Sequence, residues 1–183
     1  YKSKLKLTKS QQKEKRKLLI SIKSRVNGGW PTGAIKLLKQ RDVNILLDSV
    51  EIDQQKELIA KGYFLANKNE LAIQYAKEAL KNSFMHVPYV NWTAGLSAWR
   101  LNDYKLAAKF FTDFSILLKE DEWHQSSGNF WAARAYAKLT EFEEINYWLR
   151  RAAMNPNSFY GMLASSILGI DQPIDWSKDK FDQ

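Results

Sequence analysis

Cysteine is absent from the sequence of 183 residues, and histidine, proline and glycine are scarce. The absence of cysteine excludes disulfide bonds and thiolate metal sites. The two histidines, His86 and His124, fall in different predicted helix pairs, so we expect no histidine-rich metal site. Because only four prolines and eight glycines interrupt the chain, long helices are favoured.

Patterns that bind cofactors or cross membranes are also missing from the sequence. No apolar run approaches the ~20 residues that span a bilayer. Neither a glycine-rich phosphate loop nor a Gly-x-Ser-x-Gly nucleophile elbow occurs. We therefore expect no cofactor, no metal ion and no membrane span.

Positive charge is concentrated at the start of the chain. Residues 1–25 contain ten Lys or Arg and one acid, Glu14, whereas the remaining residues carry a net charge of −1. This segment is either a solvated basic helix face or a contact for a polyanion such as nucleic acid, an anionic membrane surface or an anionic wall polymer. Because no RNA- or DNA-binding motif accompanies the charge, we expect no nucleic-acid partner.

Apolar residues recur at helical spacing along most of the chain. Asn27-Gly28-Gly29 is typical of a helix end, and Trp30-Pro31 is typical of the start of the next helix. The spacing predicts helices over residues 10–26, 31–40, 57–66, 70–81, 90–101, 104–119, 128–139, 142–153 and 159–168, with a further short helix within 43–50.

From about residue 53, predicted helix pairs repeat with a period in the middle to upper thirties. Tyr75, Phe110 and Trp148 occupy corresponding positions in successive pairs, and the small residues Ala72 and Ala107 let neighbouring helices approach closely. Stacked pairs bury one continuous core that no single pair forms alone. The repeat predicts an all-α fold, a right-handed superhelix (α-solenoid) of stacked antiparallel helix pairs of the tetratricopeptide-like class.

The composition divides the chain into three segments. Residues 1–52 are predicted to form basic N-terminal helices, 53–169 the helical repeats, and 170–183 a C-terminal linker or tail. Two turns carry cap signals. In Asn102-Asp103 a short polar side chain is expected to accept from free helical N–H groups, and Thr140 with Glu143 matches a capping box.

Carboxylates beside aromatic residues are the candidates for general acid chemistry. Cleavage of a glycosidic bond needs a protonated acid in a partly apolar cleft. The candidates all lie in polar clusters at predicted helix ends, where caps and solvated turns explain them. They are Glu122, Glu141, Glu143, Glu144 and Asp175.

The 24 aromatic residues have two possible roles. Most are expected to fill the core between helices, and some are alternatively expected to stack on sugar rings. Trp30 and Trp176 fall outside the regular apolar stripes, so they are the candidate glycan-contact aromatics.

The stretch from residue 88 to 169 resembles the end of the superhelical domain of soluble lytic transglycosylases. Its closing run, with Phe159-Tyr160-Gly161, is the most specific part, because plain tetratricopeptide repeats do not require these residues there. The matching strings are Trp92-x-x-Gly95-Leu96-x-Ala98-Trp99-Arg100-Leu101-x-Asp103-Tyr104-x-x-Ala107-Ala108-x-x-Phe111, Phe130-Trp131-Ala132-Ala133-Arg134-Ala135, Tyr147-x-x-Arg150-x-Ala152-Ala153 and Pro156-x-x-Phe159-Tyr160-Gly161-x-Leu163-Ala164-x-x-x-Leu168-Gly169.

The resemblance implies a parent enzyme that cleaves peptidoglycan between N-acetylmuramic acid and N-acetylglucosamine without water, leaving a 1,6-anhydro product. It implies a bacterial periplasmic protein whose export signal is not in this chain. The family's catalytic Glu-Ser pair and Gly-Leu-Met-Gln motif are absent here, so the chain itself is expected to be non-catalytic.

The partners that the resemblance implies are a C-terminal lysozyme-like catalytic domain of the same parent protein and peptidoglycan. Phe159, Tyr160 and Gly161 are the candidate docking residues, because glycine permits close approach and the aromatics offer an anchoring surface. Two alternatives stay open. One is an independent tetratricopeptide-like scaffold that binds a peptide or protein, and the other is a basic helical protein that binds nucleic acid.

Overall fold

The computed structural model describes residues 6–171, which are helical throughout apart from short connections. The described part of the chain contains no β-strand. Its helices are α1 (Lys9–Asn27), α2 (Pro31–Leu38), α3 (Val43–Leu46), α4 (Ser49–Leu65), α5 (Asn69–Ser83), α6 (Tyr89–Arg100), α7 (Tyr104–Leu117), α8 (Glu122–Leu139), α9 (Phe142–Ala153) and α10 (Phe159–Leu168).

The predicted all-α character is confirmed, and most helices lie where the apolar spacing places them. Two helices begin earlier than predicted because of caps that precede their apolar stripes. Asp48 and Glu51 form a reciprocal capping box at the start of α4, and Asp121 accepts from the backbone N–H of His124 at the start of α8 at 3.1 Å. The predicted boundary between residues 52 and 53 therefore falls inside the first turns of α4.

The chain divides into two compact units, Tyr1–Phe110 and Phe111–Gln183. In the first unit, α4, α5 and α6 pack against one another, and α1 packs on α2 and α4. Its fully buried side chains include Ile22, Leu47, Ile59, Val87 and Val90.

In the second unit, α8, α9 and α10 form a group of three mutually packed helices. Its aromatic core includes Phe111, Phe114, Phe130 and Trp148, all of them buried. The ring of Phe111 lies 5.6 Å from that of Trp131. Gly128 lies close to Phe111 and Ser115, since a Cβ there would come within 3.0 Å of both, so this glycine lets α8 approach the preceding segment.

The same turn ends α1, α4, α6 and α8. At each turn a residue in the left-handed conformation is followed by an N–H that bonds to the carbonyl five residues earlier, which is the Schellman motif. The left-handed residues are Gly29 (φ 75°), Asn67 (φ 56°), Asn102 (φ 60°) and Thr140 (φ 60°). They are separated by 38, 35 and 38 residues. The helix α10 ends in the same turn at Gly169 (φ 65°), where the N–H of Ile170 bonds to the carbonyl of Ser165.

One predicted cap is confirmed and one is wrong. Asp103 accepts from the backbone N–H of Leu106 at 3.1 Å, as predicted. Thr140 does not cap α9, because it is held in the left-handed turn that ends α8 and its hydroxyl donates to the carbonyl of Leu139 at 2.6 Å. The residue before α9 is Glu141, which makes no side-chain cap bond.

Candidate functional site

Helix α10 carries the three predicted docking residues and has clear local start and stop signals. The Ser158 hydroxyl accepts from the backbone N–H of Gly161 at 3.0 Å, and Gly169 ends the helix in the left-handed conformation with φ 65°. Between Phe159 and Ile170 the sequence contains no charged residue, although 26% of the whole chain is charged. A second uncharged run, residues 82–99, covers most of α6.

The inner face of α10 is held against the turn that precedes it. Gly161 is buried, and a Cβ at this position would lie 1.9 Å from the backbone oxygen of Asn155. Ala164 and Ser165 are buried on the same side of the helix, and the Ser165 hydroxyl donates to the Gly161 carbonyl at 2.9 Å. Gly161 thus sets the position of α10 and does not itself offer surface to a partner.

A buried polar network ties the start of α8 to the turn between α9 and α10. The Ser158 hydroxyl donates to the Asn155 carbonyl at 2.8 Å and lies 2.5 Å from the Ser126 hydroxyl. The Ser158 hydroxyl has one proton, which it donates to the Asn155 carbonyl. The Ser126 hydroxyl is therefore the donor in the hydrogen bond between the two serines. The Asn155 side-chain nitrogen donates to the Glu122 carbonyl and to the Gln125 side-chain oxygen. Buried networks whose polar groups are all hydrogen-bonded favour a single packing arrangement. The network therefore fixes the position of α10 against α8 and α9.

The outer face of α10 is apolar and open to solvent. The positions 159, 163, 167 and 170 lie on one side of the helix because they are separated by three or four residues. The exposed fractions are 53% for Phe159, 43% for Met162, 37% for Leu163, 62% for Ile167 and 36% for Ile170. A helix that is apolar on both sides is normally covered, and a contiguous exposed apolar patch marks an interaction site.

The aromatic pair of the first turn connects this outer face to the core of the second unit. The Phe159 ring lies 5.2 Å from the Tyr160 ring in an edge-on arrangement. Tyr160 is half-buried, and its ring lies 5.3 Å from that of Phe130. The predicted docking residues include this turn but not Met162, Leu163, Ile167 and Ile170, whose exposure is set by the packing of α10.

Of the two candidate glycan-contact residues, the structure describes Trp30. Trp30 is 53% exposed, but its ring lies against Gly33, where a Cβ would come within 2.3 Å of it. The Arg25 guanidinium lies 5.0 Å from the Trp30 ring centre and donates to the Gly33 carbonyl at 2.7 Å. Part of the ring is therefore covered by its own turn. Trp176 lies outside the described residues.

The candidate acids do not converge on a cleft. Glu122, Glu141 and Glu143 are exposed at helix starts. Glu144 accepts from the indole N–H of Trp148 at 2.8 Å, and Asp175 lies outside the described residues. Within residues 6–171, no group of three His, Asp or Glu side chains is placed to hold a metal ion.

Among the residues that the structure describes, Glu57 on α4 is the carboxylate with a clearly raised pKa. Burial raises its pKa from the ordinary 4.5 to about 6, while backbone N–H groups of Val90 and Tyr89 lower it. These N–H groups belong to the first turn of α6, whose own N-terminal residue, Pro88, makes no side-chain cap bond. The Glu57 carboxyl therefore lies against the start of α6, and its Oε1 is buried without a hydrogen-bond partner.

We expect Glu57→Gln to stabilise the protein at neutral pH, because the raised pKa means that the folded state resists ionisation of this group. The wild-type free energy of unfolding should fall as pH rises from 4.5 to about 6. The variant, which keeps an acceptor for α6, should exceed wild type by about 1 kcal/mol at about pH 7. Urea unfolding as a function of pH measures this difference. Glu14→Gln, at an exposed position, is the control. A stabilisation by Glu57→Gln that persists unchanged below pH 4.5 would contradict the raised pKa of Glu57.

No helix in the described part of the chain is both long and apolar enough to cross a bilayer. Comparison with known proteins gives no family whose model matches this chain, and no curated protein or solved structure with significant similarity.

Proposed function

We propose that this chain is the non-catalytic, superhelical part of a peptidoglycan lytic transglycosylase. In this proposal the outer face of α10 is the surface on which a lysozyme-like catalytic domain docks. The observation that carries it is the uncharged, exposed apolar stripe of Phe159, Met162, Leu163 and Ile167 on a rigidly seated helix. The Phe159-Tyr160-Gly161 run that resembles the family lies in the same helix.

The recurring turns support a stacked arrangement of helix pairs. In such arrays each pair contacts its neighbours, and a terminal pair needs a polar outer face to remain soluble. The outer face of α10 is apolar instead. In the proposed right-handed superhelix, α10 is therefore followed by another element that covers it.

The positions of the acids support a scaffold role for the described residues. A glycosidase acid must lie beside the scissile oxygen with its proton retained. Burial gives Glu57 the raised pKa that such an acid needs, but its carboxyl lies against the first turn of α6. We therefore assign the cleavage step to the catalytic domain and propose that this chain holds that domain in the periplasm and guides glycan strands.

The activity assay uses purified peptidoglycan. The chain alone should release no 1,6-anhydro product, whereas the parent protein should release it. The coding sequence beyond residue 183 should contain the Glu-Ser pair and the Gly-Leu-Met-Gln motif. Release of anhydro product by the chain alone, or a downstream sequence without these motifs, would overturn the proposal.

The docking face is tested with charge substitutions. Ile167→Lys should weaken binding of the chain to the separately produced catalytic domain by at least about tenfold, because a buried lysine without a partner is costly at an apolar interface. Ile116→Lys is the control, since Ile116 is 57% exposed and Ile167 is 62% exposed. Equal binding of the catalytic domain by both variants would show that it does not dock on α10.

A second candidate function is an independent scaffold that binds a helix of another protein. The same α10 stripe favours it, because amphipathic helices are recognised through apolar faces at this spacing. Two results together would favour this alternative. The parent protein would lack the catalytic motifs, and the Ile167→Lys variant would no longer bind a protein that the wild-type chain binds.

A further inference from the structure

Helix α1 presents a continuous stripe of cations to solvent. The helix packs on α2 and α4 with Ile22 and Val26 buried on its inner side. Five cations are exposed on the opposite side, and Ile20, 57% exposed, lies among them. The cations, here called the α1 stripe, are Lys9, Lys13, Arg16, Lys17 and Lys23.

The stripe is not neutralised by the described part of the protein. None of its five cations has an ion pair among the described residues. Lys15 differs, because it turns toward α4, is partly buried and pairs with Glu51. The acid Glu14 lies about 100° around the helix from Lys13, at the edge of the stripe. From Lys9 to Lys23 the stripe is about 21 Å long.

An apolar groove lies beside the stripe. Its volume is about 610 Å³, and it is lined by Leu7, Leu19 and Ile20 together with the polar side chains of Gln12, Lys15 and Arg16. Cations at the rim and aliphatic side chains within the groove form an amphipathic surface.

We propose that this surface binds the anionic face of a lipid bilayer, with the α1 stripe against headgroup phosphates and Ile20 at the boundary with the acyl chains. Each Lys or Arg near an anionic leaflet strengthens binding about fivefold. The exposed isoleucine and the groove favour a bilayer over a nucleic acid, since a phosphate backbone is bound by charge alone. The inference is independent of the docking role of α10.

Vesicle flotation tests the charge requirement. The full chain should bind vesicles containing about a third phosphatidylglycerol, fail to bind pure phosphatidylcholine, and be released as salt rises from about 50 to about 300 mM. The variant Lys13→Gln/Arg16→Gln/Lys17→Gln should bind on the order of 100-fold more weakly. The matched control is Lys61→Gln/Lys77→Gln/Lys105→Gln, which removes three exposed cations from other helices and should bind like wild type.

A thiol probe distinguishes a bilayer from a soluble polyanion. Because the chain has no cysteine, Ile20→Cys and Ile116→Cys each give a single site for an environment-sensitive dye. The two isoleucines are both 57% exposed. Anionic vesicles should shift the emission of the dye at position 20 to the blue and leave that at position 116 unchanged.

Three results would overturn the inference. They are equal loss of vesicle binding in the two triple variants, no emission shift at position 20, and tighter binding to duplex DNA than to anionic vesicles at equal salt. Circular dichroism spectra identical to wild type show that the substituted helices remain folded.

Discussion

Gly161→Ala should destabilise the second unit by about 3 kcal/mol or more. The added methyl group would lie 1.9 Å from the Asn155 oxygen and 2.7 Å from its carbonyl carbon. The clash is with backbone, and Asn155 is held in place by its bonds to Glu122 and Gln125. Relief therefore requires moving α10 as a whole, which urea unfolding reports as a lower midpoint.

Gly169→Ala is the matched control for this prediction. A Cβ at Gly169 meets nothing within 4 Å, but the residue has φ +65°, so alanine there should cost only the conformational strain of about 1 kcal/mol. If both variants lose the same free energy of unfolding, Gly161 is required for its backbone conformation and not for close packing. If α10 is displaced in Gly161→Ala, docking of the proposed catalytic domain should weaken although the outer face is untouched.

Asp53→Ala should destabilise the first unit by about 3 kcal/mol. Asp53 is 2% exposed, and its two oxygens join α4 to the end of α5. One oxygen accepts from Lys56 at 2.9 Å, and the other accepts from the Ser83 hydroxyl at 2.8 Å. Alanine would leave a partly buried ammonium and a buried hydroxyl without their acceptor.

Asp53→Asn and Ser83→Ala separate the two bonds of Asp53. Asparagine keeps an acceptor for Ser83 and removes the charge. The free energy of unfolding of Asp53→Asn should therefore lie between those of wild type and Asp53→Ala. Ser83→Ala alone should cost about 1 kcal/mol. A double-mutant cycle for Asp53 and Ser83 should give a coupling above about 0.5 kcal/mol. An unfolding free energy of Asp53→Ala equal to that of wild type would contradict the account.

The helices could largely be predicted from the sequence, because each buries one stripe of apolar side chains. The predicted residues of α9 and α10 coincide with those of the structure. The early start of α4 was missed because Val50 and Ile52 alternate with the polar residues Glu51 and Asp53, which is not a helical apolar spacing. The spacing of Asp48 and Glu51 is that of a capping box and could have placed the start of α4. The burial of Asp53 against Ser83 becomes visible only in the fold.

The first helix pair of the series was missed for a different reason. Its turn uses Gly29, whereas the later turns use Asn67, Asn102 and Thr140. What recurs is a backbone conformation that glycine, asparagine and, at some strain, threonine can adopt. A comparison of residue types aligns Tyr75, Phe110 and Trp148 but does not match Gly29 with the later turns. Helix α3 also interrupts the series between α2 and α4.

The candidate site could be predicted only as a segment. Phe159-Tyr160-Gly161 was identified from the sequence, but the inner position of Gly161 and the outer position of Phe159 depend on how α10 packs on α8 and α9. The role of Glu57 depends on a partner more than thirty residues away. Tertiary packing decides both, so periodicity within one helix does not reveal them.

The most direct test of the proposed scaffold is the accessibility of α10 in the parent protein. Ile167→Cys places a single thiol on the 62% exposed outer position, and Leu65→Cys places one on a 69% exposed position of α4. In the isolated chain both thiols should react rapidly with maleimide. In the parent, the thiol at position 167 should react at least about tenfold more slowly while that at position 65 is unchanged. Equal reactivity at position 167 in chain and parent would show that nothing covers α10 and would contradict the account.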